Sequence, residues 1–229
     1  MSRQIRGLLY FFTVNVGKSF FIFWGILLGF LILNIVIASL FISGTNGNMV
    51  IGLSLAVYIY SGFFSFHFIK QGVPFVLKMG AIRKNLFAGI GVFLIGFAIL
   101  LSVIVNILQS ISEFIVEQLS IDGIGFKSLA ELLDGRWITG FTIDATIIFL
   151  IMSIMIMFSL LFYKYGLLGG GLIVLILIFL IFGFAKGFLK DFVLTIMESF
   201  DIGFFFELGG VGILLYLLSW SLFRKFTID

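Results

Sequence analysis

The sequence has no cysteine, one proline and one histidine, and only 11% of its residues are charged. Each shortage excludes something. Without cysteine there is no disulfide framework, no thiolate metal site and no thiol nucleophile, so thiol redox chemistry is ruled out. The single histidine, His67, has no Asp, Glu or Cys in its own uncharged stretch. One ligand does not make a metal site, so it reads as an interfacial or helix-packing residue. The lone proline, Pro74, leaves the rest of the chain free to run in long unbroken helices. The 25 acidic and basic side chains among 229 residues are too few to coat a soluble domain of this length.

What the chain has instead is apolar surface. Hydrophobic residues make up 62%, with 32 phenylalanines and a mean hydropathy of +1.29, against about 45–50% apolar residues in a soluble domain. That excess must face lipid. The fold class expected is therefore all-α, a polytopic membrane helix bundle forming a single domain over 1–229. A span needs about 20 residues, and the uncharged stretches place six of them near 19–42, 49–69, 86–112, 145–163, 166–186 and 204–223. The polar run Ser43-Gly44-Thr45-Asn46-Gly47-Asn48 is read as a tight turn between the first two.

The formal charge of +3 does not point to nucleic acid, because the basic residues sit in short clusters beside the apolar runs. One set of connections holds Arg3, Arg6, Lys18, Lys70, Lys78, Arg83, Lys84, Lys164, Arg224 and Lys225, with Asp229 its only acid. Basic side chains are retained on the cytoplasmic side during insertion, so these connections and both termini are expected inside. The other set holds Lys127, Arg136, Lys186 and Lys190 beside the acids from Glu113 to Asp144 and from Asp191 to Glu207, and is expected outside.

Residues 1–18 place Ile5, Leu8, Leu9, Phe12 and Val16 on one helical face and Arg3, Arg6, Tyr10 and Thr13 on another, which predicts an interfacial helix in the headgroup plane. A signal-peptide start is disfavoured by the length of the following span and the lack of a small-x-small cleavage site. The outer segments 113–144 and 187–203 are patterned as amphipathic helices, lying on the membrane surface or re-entrant. Gly17-Lys18-Ser19 resembles the end of a phosphate-binding loop, but Phe12 stands where that motif needs glycine, so no nucleotide is bound by that route. No Asp, Glu, Lys or Arg is expected near mid-span, which removes the usual proton relay. The buried polar candidates are Asn34, Asn106, Gln109, Ser153 and Ser159, read as interhelical hydrogen-bonding groups. Gly25 with Gly29, Gly166 with Gly170, and Gly183 with Gly187 have the four-residue spacing of close helix contacts.

The inner connection 70–85 carries the most information. Pro74 suits the first turn of a helix and Gly80 its end. This predicts a two-turn helix of Val73, Pro74, Phe75, Val76, Leu77, Lys78 and Met79, able to dock into a groove on a cytoplasmic partner. The alternative is that Lys70, Lys78, Arg83 and Lys84 only fix topology and contact anionic headgroups.

The run Leu77-Lys78-Met79-Gly80-Ala81-Ile82-Arg83-Lys84-Asn85-Leu86-Phe87 resembles a Leu-x-x-Gly-x-x-Arg-Lys-x-x-Phe element in permease subunits of Gram-positive ABC-2-type ATP-binding cassette transporters. The plan of an amphipathic N-terminal helix, six spans, a coupling helix between spans two and three and a re-entrant outer segment is similar over nearly the whole chain. The resemblance implies a multi-pass protein of a bacterial plasma membrane, with Val73 to Met79 as a coupling helix, and Arg83 and Lys84 beside it, seated on a nucleotide-binding ATPase subunit. It implies a pore formed with a second permease chain, identical or related, and no cofactor on this chain, ATP and Mg belonging to the partner. The chain itself is then not an enzyme, and its partners are that ATPase, the second permease and the bilayer, not nucleic acid. The cargo expected is hydrophobic or amphipathic: a peptide, antibiotic or lipid. The long outer segment 113–144 departs from relatives with a tight connection there. Two other readings stay open: the substrate-binding membrane module of a vitamin or metal importer, and a non-transporting immunity or regulatory protein.

Overall fold

The structure is a computed structural model that describes residues 3–41, 49–119, 124–126, 137–184 and 201–224. Its elements are α1 (Arg3–Phe41), β1 (Met49–Ile51), α2 (Leu53–Lys78), α3 (Arg83–Gln118), β2 (Ile124–Phe126), α4 (Trp137–Phe184) and α5 (Ile202–Arg224). Four helical segments among the described residues are long and apolar enough to cross a membrane: Arg3–Leu40, Arg83–Gln118, Trp137–Gly166 and Ile202–Arg224. Large apolar side chains such as Phe21, Ile26, Ile138 and Leu218 stand mostly exposed along these rods, as expected where lipid is the solvent. The expected all-helical membrane bundle is thus present.

α4 is two rods, not one. Gly166 has φ +70° and ψ 179°, a conformation essentially confined to glycine, and the chain reverses there. A Cβ built on Gly170 would lie 2.8 Å from the Cα of Phe162, although eight residues of straight helix would separate the two by about 12 Å. The two rods meet at Gly166, the first residue of the span expected at 166–186. Gly166 and Gly170 serve a reversal and a close approach within one hairpin. A Cβ on Gly25 or Gly29 would meet nothing within 4 Å.

The first arm of α4 sits among its neighbours. A Cβ on Gly62 of α2 would be 3.2 Å from Ile151, and one on Gly212 of α5 3.3 Å from the Leu150 Cα. Ser102 of α3 donates to the Phe141 carbonyl (2.7 Å) and Ser159 donates to the Phe66 carbonyl of α2 (2.9 Å). A second seam is aromatic. Phe12 of α1 meets Phe68 of α2 and Phe93 of α3 at centroid separations of 4.9 and 5.5 Å, and Phe64 meets Phe97 at 4.7 Å.

This seam explains the first departure from expectation. Residues 3–18 do not form a separate interfacial helix; they continue unbroken into the first span as α1. Leu8, Phe12 and Val16 on their apolar face are buried against protein, not headgroups. Gly17-Lys18-Ser19 carries no helix-stop signal strong enough to offset that burial.

At the opposite end, β1 and β2 form a two-stranded parallel pair, Met49 opposite Ile124 and Ile51 opposite Phe126. The outer segment expected to span 113–144 is shortened on both sides, since α3 runs to Gln118 and α4 starts at Trp137. The helical pattern expected at Phe114 and Ile115 falls in α3, 124–126 is strand, and the pattern expected at Leu129, Leu132 and Leu133 lies outside the described residues. The turn Ser43–Asn48, the pair Gly183/Gly187 and most of 187–203 lie outside the residues described at side-chain level.

Candidate functional site

The predicted docking residues are on the end of the bundle where three chain segments meet. α2 stops at a left-handed glycine, Gly80 (φ +85°), where the Gly80 amide donates to Leu77 O (3.0 Å) and the Ala81 amide to Val76 O (3.3 Å). These bonds satisfy carbonyls that the helix end would otherwise orphan. The turn is then tied to both ends of the described chain. Asn85 Nδ2 donates to Gln4 Oε1 of α1 (2.5 Å), and the Arg83 guanidinium donates to the Arg224 carbonyl of α5 (3.2 Å). Phe75 stacks on Phe11 with centroids 5.4 Å apart and planes at 14°.

The two-turn helix expected at 73–79 does not exist as a separate element. Leu53–Lys78 is continuous and Pro74 lies inside it. An internal proline costs about 3 kcal/mol. Val73, Val76 and Leu77 are buried in the chain's own core, and each fully buried side chain of this kind returns about 1.5–3 kcal/mol, so continuing the helix wins. Burial also divides the candidate residues. Val73, Val76 and Leu77 face inward and Pro74 is half-buried, whereas Phe75, Lys78, Met79, Arg83 and Lys84 are exposed. Ile82, which the sequence reading did not single out, is exposed among them. The surface offered is thus three large apolar side chains, Phe75, Met79 and Ile82, beside Lys78, Arg83 and Lys84. No acid occurs in 70–85.

The other end holds a group that sequence reasoning missed. Asp144, expected in an outer loop, is in the second turn of α4 and only 1% exposed. Its Oδ1 accepts from the Tyr58 hydroxyl, and its Oδ2 accepts from Asn106 Nδ2 (2.8 Å) and the Ser54 hydroxyl (3.3 Å). Asn106 also donates to Ser102 O (3.0 Å). The carboxyl group so joins α2, α3 and α4, and no described basic side chain pairs with it. Asp144 is therefore inside a span-length helix and not in the outer loop expected for it, but it lies eight residues into the 30 of Trp137–Gly166, toward the end of that helix and not at mid-span. The missed signal was the uncharged stretch Trp137–Ile143, which prolongs the apolar run upstream past the charge. Of the polar candidates, Asn106 and Ser159 do bond between helices. Asn34, Ser153 and Gln109 bond within their own helices, to Phe30 O, Phe149 O and Glu113 Oε1.

Among the described residues no three His, Asp or Glu side chains gather to hold a metal. Comparisons with protein-family models, with curated proteins and with solved structures gave no match to this chain.

Proposed function

We propose that the chain is the membrane-spanning permease subunit of an ATP-driven exporter, with ATP hydrolysed on a separate cytoplasmic subunit and the pore completed by a second permease chain. In this reading the bundle has six spans with both termini in the cytoplasm of a bacterium, and its cargo is hydrophobic or amphipathic. The observation that carries it is the exposed surface of Phe75, Met79 and Ile82 among basic side chains, braced through Gln4, Arg224 and Phe11 against the first and last helices. A loop that merely fixed topology would not need that bracing. Force applied to such a turn is delivered directly to α1, α2, α3 and α5, which is what a coupling element requires. ATP would change access only if it bound the two partner arrangements with different affinity.

The test is mild-detergent purification of the full chain from its native membrane. A nucleotide-binding ATPase is expected to accompany it. Phe75→Asp and Met79→Asp should each lower its recovery by about 30-fold, the loss of roughly 2 kcal/mol from an interface anchor, with membrane levels unchanged. Leu77→Asp is not a usable probe, because Leu77 is buried in the chain itself. Recovery unaffected by both variants would remove the docking role. A tightly held small molecule with no ATPase would favour the importer module.

A further inference from the structure

A groove of 720 Å³ runs between α1 and α2, and its walls change character along its length. Toward the strand end they are apolar, with Ile26 and Phe23 on α1 and Phe63 on α2. Toward the Arg83 end they gain polar groups, Asn15 and Lys18 on α1 and His67 and Gln71 on α2, beside Val16, Phe66 and Phe68. The change occurs in step on both helices. Because α1 and α2 run in opposite directions, the polar groups come from the first part of one lining stretch, 15–18, and the last part of the other, 67–71.

Charge narrows what fits. No acidic side chain lines the groove. Lys18 is exposed within it, and no carboxylate is paired with it among the described residues. A cation placed 15 residues into a membrane-spanning helix is costly unless it meets water, headgroups or a counter-charge. Here it stands beside two amides and an imidazole, all able to donate hydrogen bonds to oxyanions, and directly next to an aromatic slot open to the hydrocarbon.

We propose that this groove is a binding site for an anionic phospholipid of the leaflet on the Arg83 side, its phosphate held by Lys18 with Asn15, His67 and Gln71, and an acyl chain lying along Phe23, Ile26 and Phe63. A free phosphate would leave the apolar length unused, and a neutral lipid would leave Lys18 without its counter-charge. The site depends only on membrane placement and stands whether or not an ATPase partner is recovered.

The test is native mass spectrometry of the full chain from micelles containing equal phosphatidylglycerol and phosphatidylcholine. The wild-type chain should retain phosphatidylglycerol preferentially. Lys18→Gln should cut that retention roughly tenfold, the scale of one charge-assisted contact, while Lys164→Gln, an exposed base outside the groove, leaves it unchanged. Millimolar inorganic phosphate should not displace the lipid. The proposal is overturned if Lys18→Gln retains wild-type levels or if Lys164→Gln loses as much, which would mean diffuse attraction. It is also overturned by displacement with phosphate alone, or by a concentration-dependent dimer that Lys18→Gln abolishes without changing lipid retention, since a second copy would then fill the groove.

Discussion

Replacing Asp144 with alanine removes the acceptor from three donors at once. Tyr58, Ser54 and Asn106 all donate to its two oxygens, and each net hydrogen bond is worth about 1 kcal/mol, with membrane-embedded ones averaging about 0.6. Asn106 keeps its bond to Ser102 O, which softens one of the three losses. Asp144→Ala should therefore destabilise the bundle by about 2–3 kcal/mol, and Tyr58→Phe by about 1. Asp144→Asn retains one acceptor oxygen, so it must abandon either Tyr58 or the Ser54–Asn106 side and should fall between them. The decisive quantity is the coupling. In the Asp144→Ala/Tyr58→Phe double variant the Tyr58 bond cannot be lost twice, so the combined cost should be about 1 kcal/mol less than the sum. Reversible unfolding by dodecyl sulfate in mixed micelles, followed by circular dichroism, measures the wild type and all four variants. Strict additivity, or an Asp144→Ala cost under about 0.5 kcal/mol, would show that the three-helix knot does not brace the bundle.

Gly166→Ala must adopt a glycine-only backbone geometry and should cost about 1–3 kcal/mol. Gly170→Val, whose Cβ would press on the Phe162 backbone, should also lower thermal stability in detergent, whereas Gly171→Ala, 4.0 Å from the nearest ring atom, should not; equal melting of all three would refute the hairpin. Since the chain has no native cysteine, single cysteines report topology cleanly. An impermeant maleimide on intact cells should label Glu117→Cys and spare Lys84→Cys, and the reverse pattern would invert the bundle.

Much of this architecture was legible because charge exclusion from lipid is a strong, local rule. The limits of α5, Ile202–Arg224, depart from the expected 204–223 by two residues at one end and one at the other, and Gly80 ends α2 as its chemistry demands. What was not legible depended on partners distant in sequence. The apolar stripe of Leu8, Phe12 and Val16 is the same whether it meets headgroups or Phe68 and Phe93. Likewise Pro74 reads locally as a helix start, and only the burial of Val73, Val76 and Leu77 keeps it inside one. Asp144 was misplaced because a charge marks a loop unless donors are waiting for it. Those donors are 38, 86 and 90 residues away. The segment 73–84 stands out by its composition, but which of its side chains are exposed could be read only from the packing.

The small parallel strand pair has a mechanical consequence. β1 leads into α2 and β2 follows α3, so the α2–α3 hairpin is itself the crossover between two paired strands. That clamps both legs of the hairpin at the end remote from Gly80. α3 has 36 residues, a lever of about 54 Å at about 1.5 Å per residue. With its far end pinned, a tilt of about 5° would sweep the Arg83 end through about 5 Å while hardly disturbing the strands. In that geometry a force on the turn that carries Phe75 and Met79 would act at the long end of the lever, with the Asp144 knot toward its pivot.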